Sequence, residues 1–450
     1  MTRRQLLSTL AGTSAMYAQN AQSTGGRPNV VVIVADDMGI GDLGCYGTSE
    51  ARTPHLDRLA SDGVRFTDLH ANSPVCSPSR ASLLTGQYPQ HCGIPQILFS
   101  KADFGVRGLK TGTRTLASEL KTAGYRTAAI GKWHLGSSPE SRPMAQGFDS
   151  FFGFYSGWID YYSHRYYTLG GEPLFHDLWR NETEVFEEPA YQTEMLGKEA
   201  AAFIAKQTAA QPFFLYLAFG APHYPMMAPS KYLERFPPTM DRDRRLHLAM
   251  IAALDDAVHV VRSAIEAQGL TRDTVVFFMS DNGATHEVRA DHKGRPYEGG
   301  SNKPFRAWKG SLFEGGTRVP AMLAYPGRVA PRTETSPLAA MDLMPTILRM
   351  AGAESPKDMD GVDLSGLLLN RTAVADRTIF WDYEGQSAAR SGRWKLLTSY
   401  REGLGMPMQK GPWLSDLAAD PSESRNLATE NPELVAKLTD AIMTWRAKYP

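Results

Sequence analysis

Five short, almost wholly apolar runs recur along the 450-residue chain and constrain its fold more than any other feature. The runs are residues 30–35, 127–130, 213–219, 274–279 and 319–324. Their β-branched and aromatic side chains are typical of strands that are buried on both faces of a parallel sheet. Helical patterns lie between them, and two of these end at Gly124 and Gly269, where a helix commonly stops. The alternation predicts an α/β fold with a doubly wound, mostly parallel sheet, which binds ligands beyond the carboxyl ends of its strands.

The pattern changes after about Arg371, where shorter candidate strands are separated by turn residues. The candidate strands are residues 377–383, 387–397 and 414–417, and a helical pattern follows at 432–448 with Asn431 as its expected N-cap. A domain usually contains about 100–200 residues, so a chain of this length suits a large domain with an appendage. We therefore expect an α/β domain at residues 28–370 and a small antiparallel α+β subdomain at residues 371–450.

The first 21 residues have the order of an export signal. Arg3 and Arg4 precede a mildly apolar stretch, and small residues follow up to about Ala21. The adjacent arginines favour twin-arginine export, and a frayed N-terminal helix is the alternative interpretation. No later run reaches the roughly 18 apolar residues that a membrane span requires. The sequence therefore predicts a periplasmic or secreted protein with no membrane span.

The charge balance bears on possible partners. The chain has 48 Lys and Arg residues against 48 Asp and Glu residues. A protein that binds nucleic acid through its phosphates needs a basic surplus, so this balance argues against nucleic acid as the main partner.

Acidic side chains follow two of the apolar runs. Asp36 and Asp37 come directly after the first run, and Ser280, Asp281 and Asn282 follow the fourth. Carboxylate and amide oxygens at one sheet edge suit a hard divalent cation. Acidic residues at a strand end also serve as helix caps, and this alternative stays open for each pair taken alone.

Cys76 lies in a Pro- and Ser-rich loop that leads towards a helical pattern. A helix N-terminus and the nearby Arg80 would acidify this thiol, and a nucleophilic cysteine is the functional interpretation. A small buried residue in a capped loop is the structural alternative.

Basic side chains lie next to the remaining runs. Lys132 and His134 come after the second run and would point the same way in an extended segment. His223 follows the third run between two prolines, and Lys309 precedes the fifth. Each residue alone is compatible with a structural or surface role. Together with Arg80 beside an acidic metal site, they predict a site for a tetrahedral oxyanion ester.

The segment Cys76-Ser77-Pro78-Ser79-Arg80 matches the signature C-x-P-S-R. On these residues the sequence resembles the formylglycine-dependent, or type I, sulfatases of the alkaline phosphatase superfamily. The other motifs follow in family order: Asp36-Asp37, Gly131-Lys132-Trp133-His134, Ala221-Pro222-His223, Ser280-Asp281-Asn282-Gly283, and Lys309 with Glu314-Gly315-Gly316. The resemblance runs from about Pro28 to the C-terminus and implies an alkaline phosphatase-like fold.

The resemblance also implies a cofactor and a modified residue. A formylglycine-generating enzyme would convert Cys76 to 3-oxoalanine (formylglycine), an aldehyde that hydrates to a geminal diol. Asp36, Asp37, Asp281 and Asn282 would bind one divalent cation, usually Ca²⁺ with Mg²⁺ as the alternative, together with an oxygen of residue 76.

The family mechanism carries over onto the remaining residues. One hydroxyl of the diol attacks sulfur and forms a covalent sulfate hemiester, and the second hydroxyl makes its release intramolecular. His223 and Lys309 would act at the leaving oxygen, and His134 would take a proton from the second hydroxyl. Arg80 would orient the formylglycine, and Lys132 would bind both this residue and the sulfate oxygens.

The substrate is predicted to be a sulfated carbohydrate or an aryl sulfate ester. Residues 147–164 resemble the branch of arylsulfatase B and N-acetylgalactosamine-4-sulfatase. Four aromatic side chains here would stack on a sugar or form ordinary core: Trp158, Tyr161, Tyr162 and Tyr166. Three polar side chains would read neighbouring groups of a glycan: His286, Arg289 and Lys303. The alternatives are a phosphodiesterase or phosphonate monoester hydrolase on the same scaffold, and a catalytically silent protein that binds sulfated glycans.

Overall fold

A computed structural model describes residues 26–99, 108–167, 173–288 and 295–449. The predicted export signal at residues 1–21 lies outside this part of the chain. Within the described ranges, no helix combines the length and the apolar character that crossing a membrane would need.

Ten of the described strands form one sheet around the predicted apolar runs. The strands are, in chain order, β1 (Asn29–Ala35), β2 (Val64–Phe66), β3 (Leu69–His70), β4 (Arg126–Lys132), β5 (Ser150–Phe154), β6 (Arg165–Tyr167), β7 (Pro173–His176), β8 (Trp179–Arg180), β9 (Thr183–Glu184), β10 (Phe213–Ala218), β11 (Thr274–Ser280), β12 (Ala321–Ala324), β13 (Arg332–Glu334), β14 (Leu338–Ala339), β15 (Thr378–Tyr383), β16 (Gln386–Ser391), β17 (Trp394–Tyr400) and β18 (Gln409–Asp416). The order in the large sheet is β13-β2-β12-β11-β1-β10-β4-β5-β8-β9. The five predicted strands are therefore adjacent at its centre.

Helices cover both faces of this sheet. The described helices are, in chain order, α1 (Pro54–Ser61), α2 (Cys76–Thr85), α3 (Leu116–Thr122), α4 (Gln192–Ala205), α5 (Ser230–Leu233), α6 (Arg242–Ala267), α7 (Glu314–Thr317), α8 (Leu343–Met350), α9 (Ser365–Asn370) and α10 (Pro432–Arg446). Alternate residues of β1 point to opposite faces. Val32 packs in a core cluster with α2, α3 and α8, whereas Val31 and Ile33 pack in a second cluster with α1, α4 and α6. This arrangement confirms the predicted doubly wound α/β fold.

The fifth apolar run differs from the other four in its direction. Strands β11, β1, β10, β4 and β5 are parallel, but β12 runs antiparallel to β11 and to β2. The strand also begins at Ala321, two residues later than predicted. Pro320 has no N–H to donate, which favours a strand start after it. Burial on both faces made this run look like its parallel neighbours, because an apolar pattern carries no direction.

The C-terminal part forms a four-stranded antiparallel sheet in the order β15-β16-β17-β18. The predicted segment 387–397 bends into a hairpin at Gly392, whose φ of +56° favours glycine. Helix α10 packs on one face of the sheet through Leu438 and Ile442. Asn431 precedes this helix as predicted, but its side chain donates to the carbonyl of Leu427 and does not cap the helix.

The other face of this sheet packs against the α/β domain. Trp381 and Leu397 share an apolar cluster with Leu312 and Phe313, which precede α7. Next to this cluster lies a group of buried charges that we call the seam cluster, composed of Asp68, Glu314, Glu423, Arg318, Arg390 and Lys395.

Glu314 lies at the centre of the seam cluster and is fully buried. Its Oε1 lies 2.7 Å from Lys395 Nζ, and its Oε2 lies 3.1 Å from Arg318 Nη1. Both oxygens of Asp68 accept hydrogen bonds from Arg390, each at 2.6 Å. Lys395 and Arg390 belong to the C-terminal sheet, so these ion pairs join the two parts of the chain.

Candidate functional site

The strand register brings the predicted site residues to one edge of the large sheet. Ala35 at the end of β1 pairs with Ser280 at the end of β11. Asp36 and Asp281 therefore leave the sheet side by side. Lys132 ends β4, which lies two strands from β1 on the other side. The carboxyl edge of the parallel strands thus gathers residues from distant parts of the chain, as the sequence predicted.

Six buried charges at this edge form what we call the cleft cluster: Asp36, Asp37, Asp281, Arg80, Lys132 and Lys309. Each of these side chains is at most 2% exposed. The cluster thus holds three carboxylates and three cations, and such charges remain buried only when they are paired.

Two of the three ion pairs lie on the inner side of the cleft cluster. Lys132 Nζ donates to Asp36 Oδ2 at 2.5 Å. Arg80 donates to Asp281 Oδ2 through Nε at 2.8 Å, and its Nη2 lies 2.7 Å from the same oxygen. Arg80 Nη1 also donates to the carbonyl of Lys132 at 3.3 Å, which ties the two pairs together.

The third pair lies around Asp37. Lys309 Nζ is 2.8 Å from Asp37 Oδ1 and 2.9 Å from Oδ2. Asn282 Nδ2 donates to Asp37 Oδ1 at 2.7 Å, and His223 Nε2 lies 3.7 Å from Asp37 Oδ2. Asp37 therefore links a predicted metal ligand, a cation and a histidine.

The carboxylates differ in their protonation. Burial raises the pKa of Asp36 to about 7, although Lys132 acts in the opposite direction. Burial alone would also raise the pKa of Asp281, but Arg80 and Lys132 outweigh it and hold that pKa below its usual value. A bound cation beside Asp36 would favour its ionised form.

Cys76 is the first residue of α2, so the helix begins earlier than predicted and Cys76 does not lie in the loop before it. Its side chain is 3% exposed. Burial raises the pKa of its thiol to about 12, against the lowering effect of Lys132 and Lys309. The prediction of an acidified thiol is therefore wrong for the unmodified side chain, because desolvation outweighs the helix N-terminus and the nearby cations.

His134 reaches the site by a different backbone path from the predicted one. The residue has φ of +58°, in the left-handed region, so the segment from Lys132 is not extended. Its Nε2 lies 2.8 Å from the carbonyl of Leu98, and its Nδ1 is buried without a hydrogen-bond partner among the described residues. Burial, reinforced by Lys132, lowers the pKa of His134 well below its usual value, so the imidazole is neutral.

His223 lies in the connection that follows β10, with its Nε2 close to Asp37. Its Nδ1 lies 2.7 Å from the carbonyl of Tyr224, which leaves Nε2 facing the site. The hydroxyl of Tyr161 donates to the His223 carbonyl at 2.9 Å and helps to fix the loop. The ring of Trp158 lies 6.0 Å from the imidazole in a stacked orientation.

A cleft of about 480 Å³ opens above these residues. Cys76, His134, His223 and Lys309 line it together, so the structure brings four of the predicted catalytic residues to one surface. Arg80 and Lys132 are not among the lining residues and pair with Asp281 and Asp36. Every predicted catalytic and metal-binding residue therefore belongs to one continuous site or its buried support.

The sequence did not predict several residues that line this cleft. Glu287 is buried and lies 3.7 Å from Lys309 Nζ. Trp308 stacks on His286 with ring centroids 5.1 Å apart. Trp308 directly precedes the predicted site residue Lys309 in the sequence, and this position could have indicated that Trp308 lies at the site. Residues 404–406, between β17 and β18, also line the cleft, and no motif marks them.

The predicted sugar-binding aromatics divide into two groups. Trp158 lines the cleft, whereas Tyr161 and Tyr166 are only 1% and 4% exposed and pack in the core. Tyr162 packs against Tyr191. Among the described cleft residues, Trp158 alone of the four is placed to meet a ligand, and for the others the core interpretation holds.

The polar side chains predicted to read a glycan are also divided. His286 lines the cleft, while Lys303 is exposed and lines a separate groove beside Arg244. Arg289 lies outside the described residues.

The site fits a hard divalent cation. Asp36 Oδ1 and Asn282 Oδ1 are buried, and neither takes part in a hydrogen bond with the described residues. Asp36, Asp37, Cys76 and His223 bring one ligand-type atom each to within 4.8 Å of one another. Buried oxygens without donors are costly unless a ligand or ion meets them, and oxygen ligands favour Ca²⁺ or Mg²⁺ over softer metals.

Two family models cover most of the chain. The sulfatase family matches residues 28–353, and the family described as N-sulphoglucosamine sulphohydrolase, C-terminal, matches residues 308–448.

Individual relatives agree with this assignment. The chain is 36% identical to N-acetylgalactosamine-6-sulfatase of Rattus norvegicus, over 82% of this chain and 71% of the relative. It is 33% identical to arylsulfatase A of Bos taurus, over 92% of this chain and 86% of the relative. The crystal structure of Ps i-CgsB in complex with k-i-k-neocarrahexaose superposes with a TM-score of 0.82 at 30% identity and covers 94% of both chains. The chain belongs to the sulfatase family, with its alkaline phosphatase-like fold, and is a sulfate ester hydrolase of type I.

Proposed function

We propose that this sulfatase removes O-sulfate from a sulfated carbohydrate, with the site residues predicted from the sequence in catalytic roles. One observation carries the proposal: three cations and three carboxylates converge beneath Cys76 at the floor of the cleft. The cleft cluster is close to neutral without a metal, and a divalent cation would give it a surplus of positive charge. Such a surplus suits a sulfate ester, which is an anion before and after hydrolysis.

Asp36, Asp37, Asp281 and Asn282 would hold the cation, which is Ca²⁺ in this proposal and Mg²⁺ in its alternative. When bound, the cation polarises a sulfate oxygen and favours ionisation of a neighbouring hydroxyl. Residue 76 would supply the nucleophile after its conversion to formylglycine by a formylglycine-generating enzyme. The position of Cys76 at the helix start and in the cleft supports this role.

The cations that pair with the carboxylates hold the reacting groups in place. Lys132 is anchored by Asp36 and Arg80 by Asp281, so neither side chain has to reorganise during the reaction. Arg80 orients residue 76, and Lys132 stabilises negative charge on the sulfate oxygens.

Proton transfer falls to groups that line the cleft. His134 is neutral and buried, so its Nδ1 can accept a proton from residue 76. His223 presents Nε2 on the other side of the site, and Lys309 lies next to Asp37. These two residues act at the oxygen of the leaving alcohol, where they supply a proton or offset the developing charge.

Several features support a carbohydrate as the substrate. Trp158 and Trp308 line the cleft, and flat aromatic rings of this kind stack on sugar faces. Ps i-CgsB, which binds k-i-k-neocarrahexaose, superposes over almost the whole chain. The resemblance of residues 147–164 to the branch of arylsulfatase B and N-acetylgalactosamine-4-sulfatase stays a prediction.

A desulfation screen on defined sulfated oligosaccharides tests the substrate proposal. An aryl sulfate and a phosphate diester serve as comparison substrates, and Cys76→Ala serves as the inactive control. We expect at least one sulfated sugar to have a higher kcat/KM than the aryl sulfate. Turnover of only the aryl sulfate would contradict the carbohydrate substrate, and faster phosphate diester hydrolysis would favour a phosphodiesterase or phosphonate monoester hydrolase.

Mass spectrometry of the peptide that contains Cys76 tests the nucleophile. We expect the mass of formylglycine or its hydrate in active enzyme. An unmodified thiol in fully active enzyme, or sulfate release that survives in Cys76→Ala, would overturn the mechanism. Either result would leave the family assignment unchanged.

We also propose that the chain is exported through a signal at residues 1–21 and divides near residue 371. Arg3 and Arg4 before an apolar stretch support export by the twin-arginine route to the periplasm or the exterior. Residues 371–377 form neither helix nor strand and are mostly exposed, which supports a boundary between 28–370 and 371–450. N-terminal sequencing of the mature protein and limited proteolysis test the two boundaries.

A further inference from the structure

A second group of possible metal ligands lies on the hairpin of β6 and β7, away from the cleft cluster. His164 directly precedes β6, and His176 is the last residue of β7. Glu188 belongs to the segment between β9 and α4. One ligand-type atom from each of these residues lies within 4.8 Å of the other two. None of the three belongs to the predicted catalytic or metal-binding residues, and His164 is the last residue of the segment 147–164.

Hydrogen bonds fix which nitrogen of each ring faces the group. His164 is fully buried, and its Nε2 lies 3.0 Å from the carbonyl of Ala190. A carbonyl only accepts, so Nε2 carries the proton and Nδ1 carries a lone pair. His176 Nδ1 lies 2.9 Å from Glu184 Oε1. When Nδ1 donates to this carboxylate, Nε2 can carry the lone pair that a metal ion needs.

The two remaining nitrogens are left without donors. His164 Nδ1 and His176 Nε2 are both buried and take part in no hydrogen bond with the described residues. His176 Nε2 lies 3.3 Å from Glu188 Oε1. A buried polar atom without a partner is costly, and a cation held between these side chains would supply the missing partner.

The spacing and the chemistry fit a transition-metal ion. Tetrahedral Zn²⁺ with ligand bonds of about 2.1 Å separates neighbouring ligand atoms by about 3.4 Å. The separation of 3.3 Å between His176 Nε2 and Glu188 Oε1 is close to this value. Two imidazoles and one carboxylate form a ligand set that suits Zn²⁺ better than Ca²⁺.

The outer contacts of this group also resemble those of a metal site. A metal-binding histidine usually donates its second N–H to a carboxylate or a carbonyl, which orients the ring. The carboxylate of Glu184 would accept the second N–H of His176, and the Ala190 carbonyl would accept that of His164. Glu184 and Glu188 would together balance the charge of a divalent ion.

We propose that His164, His176 and Glu188 bind a divalent transition-metal ion of the Zn²⁺ class, with water as the fourth ligand. The ion would join the β6–β7 hairpin to the segment before α4. Tyr166 of this hairpin packs on Trp158 with ring centroids 4.9 Å apart, and Trp158 lines the cleft. The metal would therefore hold one wall of the cleft in place without touching the sulfate ester.

Zinc binding to the full-length, Ca²⁺-saturated enzyme tests this proposal. After treatment with a chelator and reloading with Ca²⁺, we expect one Zn²⁺ per chain by calorimetry and by elemental analysis after dialysis. His164→Gln and Glu188→Gln are expected to remove this ion. Glu184→Gln, which changes only the orienting carboxylate, is expected to weaken binding by about 10- to 100-fold.

A matched control comes from another histidine next to acidic residues. His55 lies near Asp255 and Asp256 and stacks on His259, and His55→Gln is expected to leave zinc binding unchanged. Wild-type protein loaded with Co²⁺ adds a measurement that needs no variant, because tetrahedral cobalt absorbs visible light strongly. Zinc content that is equal in wild type and His164→Gln, no zinc binding at all, or an octahedral cobalt spectrum would overturn the proposal.

Discussion

The cleft cluster and the seam cluster contain the same kinds of side chain but use them differently. Each buries three carboxylates with three cations, and each lies at a junction of distant chain segments. In the seam cluster, Glu314 and Asp68 have both oxygens paired with cations. In the cleft cluster, Asp36 Oδ1 remains buried without a hydrogen bond to the described residues, as does Oδ1 of the neighbouring Asn282.

This difference separates structural charges from functional ones. The charged side chains of the seam cluster pair with one another, and Glu314 is fully buried. The cleft cluster retains oxygens that are available for a cation, next to the side chain of Cys76. Burial and charge alone therefore do not identify a site, whereas buried acceptors that lack donors do.

The largest expected effect comes from Lys132→Met in the cleft cluster. Lys132 stabilises charge on the sulfate, and loss of one such donor lowers kcat/KM by about 10³-fold. The variant should also be less stable, because Asp36 loses its positively charged partner. Saturating Ca²⁺ should restore most of this stability, because the bound cation supplies a positive charge next to Asp36. Steady-state kinetics and urea unfolding measure the two effects, and wild-type activity in the variant would contradict the role of Lys132.

The matched change in the seam cluster is Lys395→Met. Lys395 is as buried as Lys132, and its loss leaves Glu314 with a weaker set of partners. We expect the free energy of unfolding to fall by about 3 kcal/mol. Ca²⁺ should not restore it, because no metal replaces this lysine. Recovery of stability by Ca²⁺ would mean that the two clusters do not differ as we describe.

Removal of the metal sharpens the comparison further. Ca²⁺ at about 100 times its Kd should raise the free energy of unfolding of the wild type by about 2.7 kcal/mol over the chelated protein. Asp36→Asn should lose most of this response, and Asp68→Asn in the seam cluster should keep it. Thermal unfolding with and without chelator provides the measurement, and equal responses of the two variants would place the ion elsewhere.

The smallest expected effect concerns Glu423 and pH. Burial raises the pKa of Glu423 to about 7 in the folded protein. The folded state therefore holds a proton that the unfolded chain has released, and the free energy of unfolding falls as pH rises from about 4.5 to about 7. Glu423→Gln should flatten this slope by about 1 kcal/mol per pH unit. Urea unfolding near pH 5 and near pH 8 measures the effect. The same pH dependence of the free energy of unfolding in wild type and Glu423→Gln would contradict a raised pKa of Glu423.

The metal ligands of the cleft cluster could be predicted from the sequence because they directly follow buried strands. The apolar runs locate those strands, and the parallel register then brings Asp36 and Asp281 together. Arg80 and Lys309 lie in a helix and in a connecting segment, and only the family motifs indicated their roles. The left-handed backbone conformation of His134 was not predicted. The residue types after β4 do not indicate that the chain turns there.

The seam cluster could not be predicted in the same way. Asp68, Glu314 and Lys395 are far apart in the chain and belong to no regular spacing. Their contacts arise only when the C-terminal sheet docks on the α/β domain. The direction of β12 was missed for a related reason, because its neighbours in the sheet decide it and its own residues do not.

The loop at residues 404–406 connects two strands of the C-terminal sheet and also forms part of the cleft rim. Gly310, directly after Lys309, approaches Leu404 so closely that a Cβ there would lie 2.6 Å from the Leu404 backbone nitrogen. The catalytic floor and this rim are therefore built as one unit. Exchanging the C-terminal subdomain between relatives would therefore change both the substrate range and the packing of this subdomain on the α/β domain. An engineered exchange has to transfer the segments around Gly310 and Leu404 together.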